Sequence, residues 1–243
     1  MDRRDYLGAV AGLATAAAVP IAGCSTGVGE VPAPELPESR TDAWARIDEG
    51  VETAFEKEVG DATIEGRAHA VVCEDEQLRN DVEAAIGELD HPVATLAASR
   101  VVFSGGLGGA AGTDASVADA IETEARERFE TRLRDAGIEN IEHTSAETVT
   151  VDSGAKARYR RYVADLTHNG EAADAAGVEA IPVAGDLATW RAAESSLIAG
   201  AVYPAESLSE TIERGGGDAS DVDVEFDAAA YREGVRAILT AIE

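Results

Sequence analysis

The sequence predicts a single α+β domain in which amphipathic helices flank a mainly antiparallel sheet. Apolar residues recur at helical spacing in the first half of the chain, whereas short apolar runs divided by glycine and polar turns fill the second half. These short runs lack the strand and helix alternation of a parallel sheet. Hydrophobic residues make up 45% of the chain. A domain of about 200 residues with this content can bury an ordinary core.

The chain opens with the features of an export signal. Arg3 and Arg4 precede a weakly apolar stretch, and this segment resembles a twin-arginine signal peptide. A lipobox-like sequence follows, made of Ile21, Ala22 and Gly23. In a lipobox the next residue, here Cys24, is lipidated and becomes the mature N-terminus. An uncleaved N-terminal anchor helix is the alternative, and it would give the same topology.

These features predict three parts of the chain and one location. Residues 1–23 are the twin-arginine signal peptide with its lipobox, residues 24–40 combine the lipidated cysteine with a flexible tether, and residues 41–243 form the domain. The tether is rich in residues that interrupt regular structure: Gly27, Gly29, Pro32, Pro34 and Pro37. We expect the protein on the extracellular face of the cell membrane, held by the lipid on Cys24.

In the first half of the domain, spacing predicts three helices and two strands. Trp44, Ile47, Val51 and Phe55 lie three or four residues apart, which predicts an amphipathic helix over 41–59. A strand over 63–73, a helix over 76–89, a strand over 95–104 and a long helix from residue 114 to the glycine at 137 follow. The charged outer face of this long helix predicts ion pairs between residues four apart.

The second half is predicted to be a meandering antiparallel sheet closed by a helix. Strand-like runs cover 144–152, 155–166, 178–184, 187–191 and 197–202. Ser195 and Ser196 are assigned to a hairpin turn. The apolar stripe over 227–243 predicts a final helix that packs on the sheet.

The charge of the chain indicates adaptation to concentrated salt. Acidic residues number 47 against 20 basic ones, the formal net charge is -27, and Lys57 and Lys156 are the only lysines. In concentrated salt, repulsion between surface carboxylates is screened beyond a distance of a few ångströms. A surface this negative excludes nucleic acid as a partner, because phosphates require a basic patch.

Four segments of the second half resemble known families. Residues 148–151, 157–166, 181–190 and 199–204 are similar to the uncharacterised twin-arginine lipoproteins of haloarchaea. The strand that ends in Tyr203-Pro204 is also similar to the photosystem-accessory PsbP and Mog1 type of α/β/α sandwich. Both resemblances imply binding or assembly roles rather than catalysis.

Three aromatic residues are the candidates for a ligand-facing patch. Aromatic residues are only 5% of the chain, so a cluster of Tyr162, Trp190 and Tyr203 would form either the core of the sheet or a surface for a ligand. The core is the favoured interpretation. Cys73, in an apolar run, is expected to be a buried thiol.

Other motifs give no site. The glycine-rich loop over 105–112 has too many glycines for a phosphate loop, and the four histidines are scattered. Asp218, Asp221 and Asp223 could offer oxygen ligands to Ca²⁺, although general acidity explains them equally well. We therefore predict neither cofactor nor metal.

The leading functional hypothesis is a non-catalytic binding or assembly module. Its partners would be the membrane, through Cys24, and an unknown protein or small ligand. The chain lacks a G-x-S-x-G elbow, which favours binding over catalysis. An extracellular hydrolase with a dispersed active site and a small solute-binding lipoprotein are the alternatives.

Overall fold

The computed structural model describes residues 31–59, 62–87, 89, 91–103, 115–167, 178, 180–193, 195–220, 224 and 226–243. Within these ranges seven strands form one sheet in the order β1-β2-β3-β7-β6-β5-β4, and every neighbouring pair is antiparallel. The predicted α+β class, a mainly antiparallel sheet with flanking helices, is confirmed.

The sheet consists of two meanders. The strands are β1 (Trp44–Val59), β2 (Ala62–Asp75), β3 (Thr95–Phe103), β4 (Ile138–Thr150), β5 (Lys156–Thr167), β6 (Ala180–Ala192) and β7 (Ser195–Pro204). The helices are α1 (Glu76–Ile86), α2 (Ala115–Asp135), α3 (Leu208–Arg214) and α4 (Ala228–Ala241). The connection through α2 carries the chain from β3 to the far edge at β4. This crossover brings β3 and β7 together at the centre of the sheet.

Helices α2 and α4 cover opposite faces of the sheet. Phe129 of α2 contacts Gly185 and Gly200, whereas Tyr231 of α4 lies with its ring centre 5.7 Å from that of Tyr203. Because side chains alternate along a strand, Gly200 and Tyr203 of β7 point to opposite faces. The centre of the sheet is therefore buried on both sides, which explains why β6 and β7 are almost continuously buried.

The ring of Phe129 depends on glycine in the strands beneath it. A Cβ atom at Gly200 would lie 3.0 Å from the Phe129 ring, and one at Gly185 would lie 3.4 Å from it. The Phe129 ring is also 5.5 Å from that of Tyr162. The two glycines thus form a recess that sets how closely α2 approaches the sheet.

We expect Gly200→Ala to lower the free energy of unfolding by about 1–3 kcal/mol, because the added methyl group overpacks the recess under Phe129. Denaturant unfolding in concentrated KCl would measure the change. Gly50→Ala in β1 is the matched control, since a Cβ at Gly50 meets nothing within 4 Å. Equal stability of the two variants would contradict this role for Gly200.

The helix predicted over 41–59 is wrong, since these residues contribute the edge strand β1. Its pairing with β2 shifts between Arg46 and Asp48, where Ile47 is an extra residue. This bulge places Trp44 and Val51, seven residues apart, on the same face of the strand. The seven-residue spacing between Trp44 and Val51, which matches two turns of a helix, therefore arises here from an irregular strand. Val51 is 45% exposed, as an edge position permits.

Most other predicted elements occur, although several differ in their bounds; β4, for example, begins at Ile138 rather than at residue 144. The separate strands predicted over 178–184 and 187–191 are one strand, β6, and Ser195 and Ser196 lie in β7 rather than in a turn. Helix α3 was not predicted. Its N-terminus has a capping box in which Ser207 and Glu210 bond to each other's backbone amides.

Helix α2 follows the prediction closely. Gly137, with φ 74°, follows its last turn, and the expected ion pairs join Glu124 to Arg128 and Glu130 to Arg134. One residue of its charged face is not solvated. Glu122 is 8% exposed and accepts from Arg160 of β5 at 2.6 and 3.0 Å.

Residues 31–40, predicted to be part of a flexible tether, pack on the domain. Val31 is 2% exposed, and its carbonyl oxygen lies 2.9 Å from His69 Nδ1. Glu35 forms two backbone hydrogen bonds with Glu243, and Arg40 donates to the carbonyl of Ala237. The folded domain therefore includes this segment rather than beginning at residue 41. In the described part of the chain, no helix combines the length and apolarity that crossing a membrane requires.

Candidate functional site

An open cleft of about 470 Å³ lies on the α4 face of the sheet. It is formed where the β4–β5 and β6–β7 turns meet the N-terminal segment and the residues after α4. The lining residues are Glu35, Arg100, Ser153, Ala155, Trp190, Arg191, Ala192, Ala193, Leu197, Ile242 and Glu243. Its volume is in the range of small-molecule sites, which are about 300–1,000 Å³.

The floor of the cleft is apolar and is formed by buried side chains. Trp190 and Leu197 are register partners on β6 and β7, and Ile242 follows the last turn of α4. Their exposed fractions are 5%, 1% and 2%. The floor therefore belongs to the main core, and only the edges of these side chains face the cleft.

Arg100 is a cleft residue with unused hydrogen-bonding capacity. It lies on β3 opposite His69 and Leu197. One terminal nitrogen donates to Ser195 Oγ at 3.3 Å, whereas its buried Nε has no hydrogen-bond partner among the described protein atoms. Because Nε is enclosed by protein, an acceptor in the cleft would reach this guanidinium through its terminal nitrogens.

Charges of both signs line the cleft. Glu35 and Glu243 are exposed at its rim, held side by side by their backbone hydrogen bonds. Neither carboxylate forms an ion pair with Arg100, although all three line the same space. Arg191 adds a second guanidinium, whose Nε donates to the carbonyl of Ala193 at 3.3 Å. Glu35 and Glu243 thus share one cleft with Arg100 without pairing with it directly.

A buried polar cluster lies under α4, away from the cleft. Asp186 is fully buried and accepts from the hydroxyl of Tyr203 at 2.6 Å and from Arg161 Nε at 3.1 Å. Next to it, Arg236 lies 5.1 Å from the centre of the Tyr159 ring. These contacts join three strands and α4, and they satisfy a carboxylate that would otherwise be very costly to bury.

A second buried carboxylate joins α4 to α1. Asp75 caps α1 by accepting from the amide of Leu78 at 2.9 Å, and it accepts from the hydroxyl of Tyr231 at 2.9 Å. Burial raises the pKa of Tyr231, and the charge of Asp75 raises it further. Tyr203 is affected in the same way by burial and then by Asp186. Both hydroxyls therefore remain donors to their carboxylates.

Alkaline pH is expected to destabilise the fold through these tyrosines. Burial, followed by the charge of Glu130, raises the pKa of Tyr162 to about 12. Unfolded tyrosines ionise near pH 10. The folded state thus retains protons that the unfolded state loses, so stability falls as pH rises from about 10 towards 12. Each retained proton contributes up to about 1.4 kcal/mol per pH unit.

Denaturant unfolding at several pH values above 9, together with tyrosinate absorbance, would measure this decline. Tyr162→Phe is the informative control, because the Tyr162 hydroxyl has no hydrogen-bond partner among the described atoms. This variant should be nearly as stable as the parent at pH 7 and decline less steeply above about pH 10. A parallel decline in both proteins would contradict the role of Tyr162.

The three aromatic residues predicted as a ligand-facing patch do not come together. Tyr162 lies on the α2 face, beside Phe129 and His143. Trp190 and Tyr203 lie on the opposite face, where Trp190 reaches the cleft and Tyr203 bonds to Asp186. All three are at most 5% exposed, which agrees with the favoured interpretation that they belong to the core.

Several predicted residues lie outside the described ranges. They are the export residues Arg3 and Arg4, the lipobox residues Ile21, Ala22 and Gly23, the lipidation residue Cys24, the glycine-rich loop, and Asp221 and Asp223. Asp218 is described, and its carboxylate accepts from the amide of Ser220 at 2.9 Å. Among the described residues, no group of three His, Cys, Asp or Glu side chains is placed to hold a metal ion. Cys73 is a buried free thiol, as expected, and burial raises its pKa.

Sequence reasoning missed Arg100, Glu35, Glu243 and Asp186. Asp186 carried a visible signal, because it is a single charge inside an otherwise uncharged run from Ile181 to Trp190. Arg100 interrupts an apolar strand in the same way. The cleft itself is formed by residues distant in sequence, and no spacing along the chain indicates their proximity.

Comparison with known proteins identifies a family but no activity. No curated protein matches the sequence. The chain belongs to the family described as Domain of unknown function (DUF6517), whose match covers residues 32–243.

Proposed function

We propose that this chain is an exported lipoprotein, anchored through Cys24 to the outer face of a halophile's cell membrane, whose domain binds a ligand or partner. The cleft that contains Arg100 and Trp190 is the observation that carries the binding role. It combines an apolar floor with Arg100, whose terminal nitrogens form a single hydrogen bond among the described atoms. Such a combination is typical of small-ligand sites.

The positions of Val31 and Glu35 support a short distance between the proposed anchor at Cys24 and the cleft. Val31 is buried on the domain, seven residues after Cys24, and Glu35 lines the cleft. Seven extended residues span at most roughly 25 Å. A lipid on Cys24 would therefore hold the domain within about one domain radius of the membrane surface.

The composition supports the halophilic part of the proposal. A formal charge of -27 with two lysines fits a surface that depends on salt to screen repulsion. The similarity of the second half to the PsbP and Mog1 type of sandwich remains a prediction from sequence.

Protease treatment of intact cells tests the location. In a halophilic host, external protease should remove the native domain, whereas a chain with both Arg3→Lys and Arg4→Lys should stay protected inside. Arg126→Lys with Arg134→Lys is the matched control, because these arginines lie on the surface helix α2. A native domain that resists protease until the cells are lysed would refute the extracellular location.

A further inference from the structure

We propose that the cleft binds a small zwitterion with an apolar body, such as a free apolar α-amino acid. This inference rests on the proposed binding function and specifies the ligand class of the same site. The ligand carboxylate would bind to Arg100, its ammonium group would lie between Glu35 and Glu243, and its side chain would cover the floor around Trp190.

The carboxylate position follows from Arg100. Arg100 lines the cleft, and its one side-chain hydrogen bond among the described atoms runs from a terminal nitrogen to Ser195 Oγ. The remaining terminal N–H groups have no acceptor among the described residues. Guanidinium groups bind carboxylates through paired N–H donors in a planar fork. Arg100 forms no ion pair with any described carboxylate. A ligand carboxylate at the terminal nitrogens would supply both an acceptor and the missing counter-charge.

The ammonium position follows from Glu35 and Glu243. Glu35 and Glu243 are exposed, line the cleft and form no ion pair with any described cation. Their reciprocal backbone hydrogen bonds keep the two residues adjacent. A ligand ammonium group would relieve the repulsion between two neighbouring carboxylates. The same pair would disfavour a ligand that carries only negative charge.

The apolar floor selects the body of the ligand. Trp190, Leu197 and Ile242 present edges of the core to the cleft, and Ala155 adds a small side chain beside them. A branched aliphatic side chain would bury its surface there.

The net charge of the protein disfavours free anions as ligands. A chain with formal charge -27 repels free anions at long range and attracts simple cations to its whole surface. A zwitterion has no net charge, so the overall field neither repels nor attracts it. Its binding depends on the two local charge contacts and should change little with ionic strength.

Calorimetric titration of the purified full chain in concentrated KCl tests the proposal with three related probes. L-Leucine carries both charges, 4-methylpentanoate lacks the ammonium group, and 3-methylbutylamine lacks the carboxylate. Fluorescence offers a second readout, because the chain has two tryptophans and Trp44→Phe leaves Trp190 at the cleft as the only reporter. We expect leucine to bind at least about tenfold more tightly than either analogue.

Two variants assign the contacts. Arg100→Gln should weaken leucine binding at least about tenfold and leave 3-methylbutylamine unchanged. Glu35→Gln, at an exposed position, should weaken leucine binding. It should also reduce the ratio of the affinity for leucine to the affinity for 4-methylpentanoate. Arg67→Gln is the matched control, since Arg67 is a half-buried arginine on the neighbouring strand β2 and does not line the cleft. Unfolding midpoints would verify that each variant is folded.

The outcomes separate this inference from the function on which it rests. If leucine binds no better than its analogues, or if no probe changes either heat or Trp190 fluorescence, the zwitterion class is refuted. Tight binding of 4-methylpentanoate that depends on Arg100 would also refute the zwitterion class, yet it would retain the cleft as a binding site. Leucine binding that survives Arg100→Gln would refute the assignment to this cleft.

Discussion

Replacement of Asp186 by alanine is expected to lower the free energy of unfolding by about 3–5 kcal/mol. Asp186 is fully buried and is the acceptor for both Tyr203 and Arg161. Its removal leaves a tyrosine hydroxyl without its acceptor in the core and a guanidinium without its counter-charge beside it. Removing one partner of such a buried pair costs more than the net contribution of the pair itself.

Denaturant unfolding in concentrated KCl would measure the Asp186→Ala effect. Tyr203→Phe removes a single charge-assisted hydrogen bond and should cost about 1.5–3 kcal/mol. Asp119→Ala is the surface control, because Asp119 and Arg158 form a highly exposed pair at 3.5 Å and such pairs contribute about 0–1 kcal/mol. An Asp186→Ala variant as stable as Asp119→Ala would contradict a structural role for the buried carboxylate.

Phe129→Ala is expected to lower the free energy of unfolding by about 3–5 kcal/mol. The Phe129 side chain is 7% exposed, and its ring occupies the recess over Gly185 and Gly200. Because neither glycine has a side chain that could move into the space, the structure can collapse only partly around the cavity. The contact with the Tyr162 ring would also be lost.

Thermal and denaturant unfolding of Phe129→Ala, compared with Phe129→Leu, would test this expectation. The leucine variant retains much of the apolar volume and should lose substantially less stability. Combining Phe129→Leu with Gly200→Ala provides a stricter test, since the smaller side chain makes room for the added methyl group. A purely additive loss in the double variant would contradict the proposed fit between Phe129 and Gly200.

Much of the fold was predictable because long amphipathic segments carry their own signal. Helices α2 and α4 have apolar stripes at helical spacing, and both occur close to their predicted bounds. Strand β1 was mispredicted because the bulge at Ile47 changes the alternation of side chains to a spacing that resembles a helix. Strand β6 was divided in two because Gly185 and Asp186 look like a turn, whereas tertiary contacts bury them both.

The candidate site was much less predictable than the fold. Of its main residues, only Trp190 was singled out from the sequence. Glu35, Arg100 and Glu243 are brought to the cleft by the central pairing of β3 with β7 and by the backbone pairing of the two chain segments. Contacts at such sequence separations leave no periodic pattern in the chain. They depend on the crossover topology, which composition and spacing do not specify.

The most direct test of the proposed surface lipoprotein is the intact mass and membrane partitioning of the protein expressed in a halophilic host. The native chain should be cleaved before Cys24, carry the added mass of lipid and remain with the membranes. Cys24→Ser should be released or left uncleaved, whereas Cys73→Ser, which alters the buried thiol, should behave like the native chain. If the native protein and Cys24→Ser both stay soluble at full-length mass, the anchored surface function is contradicted.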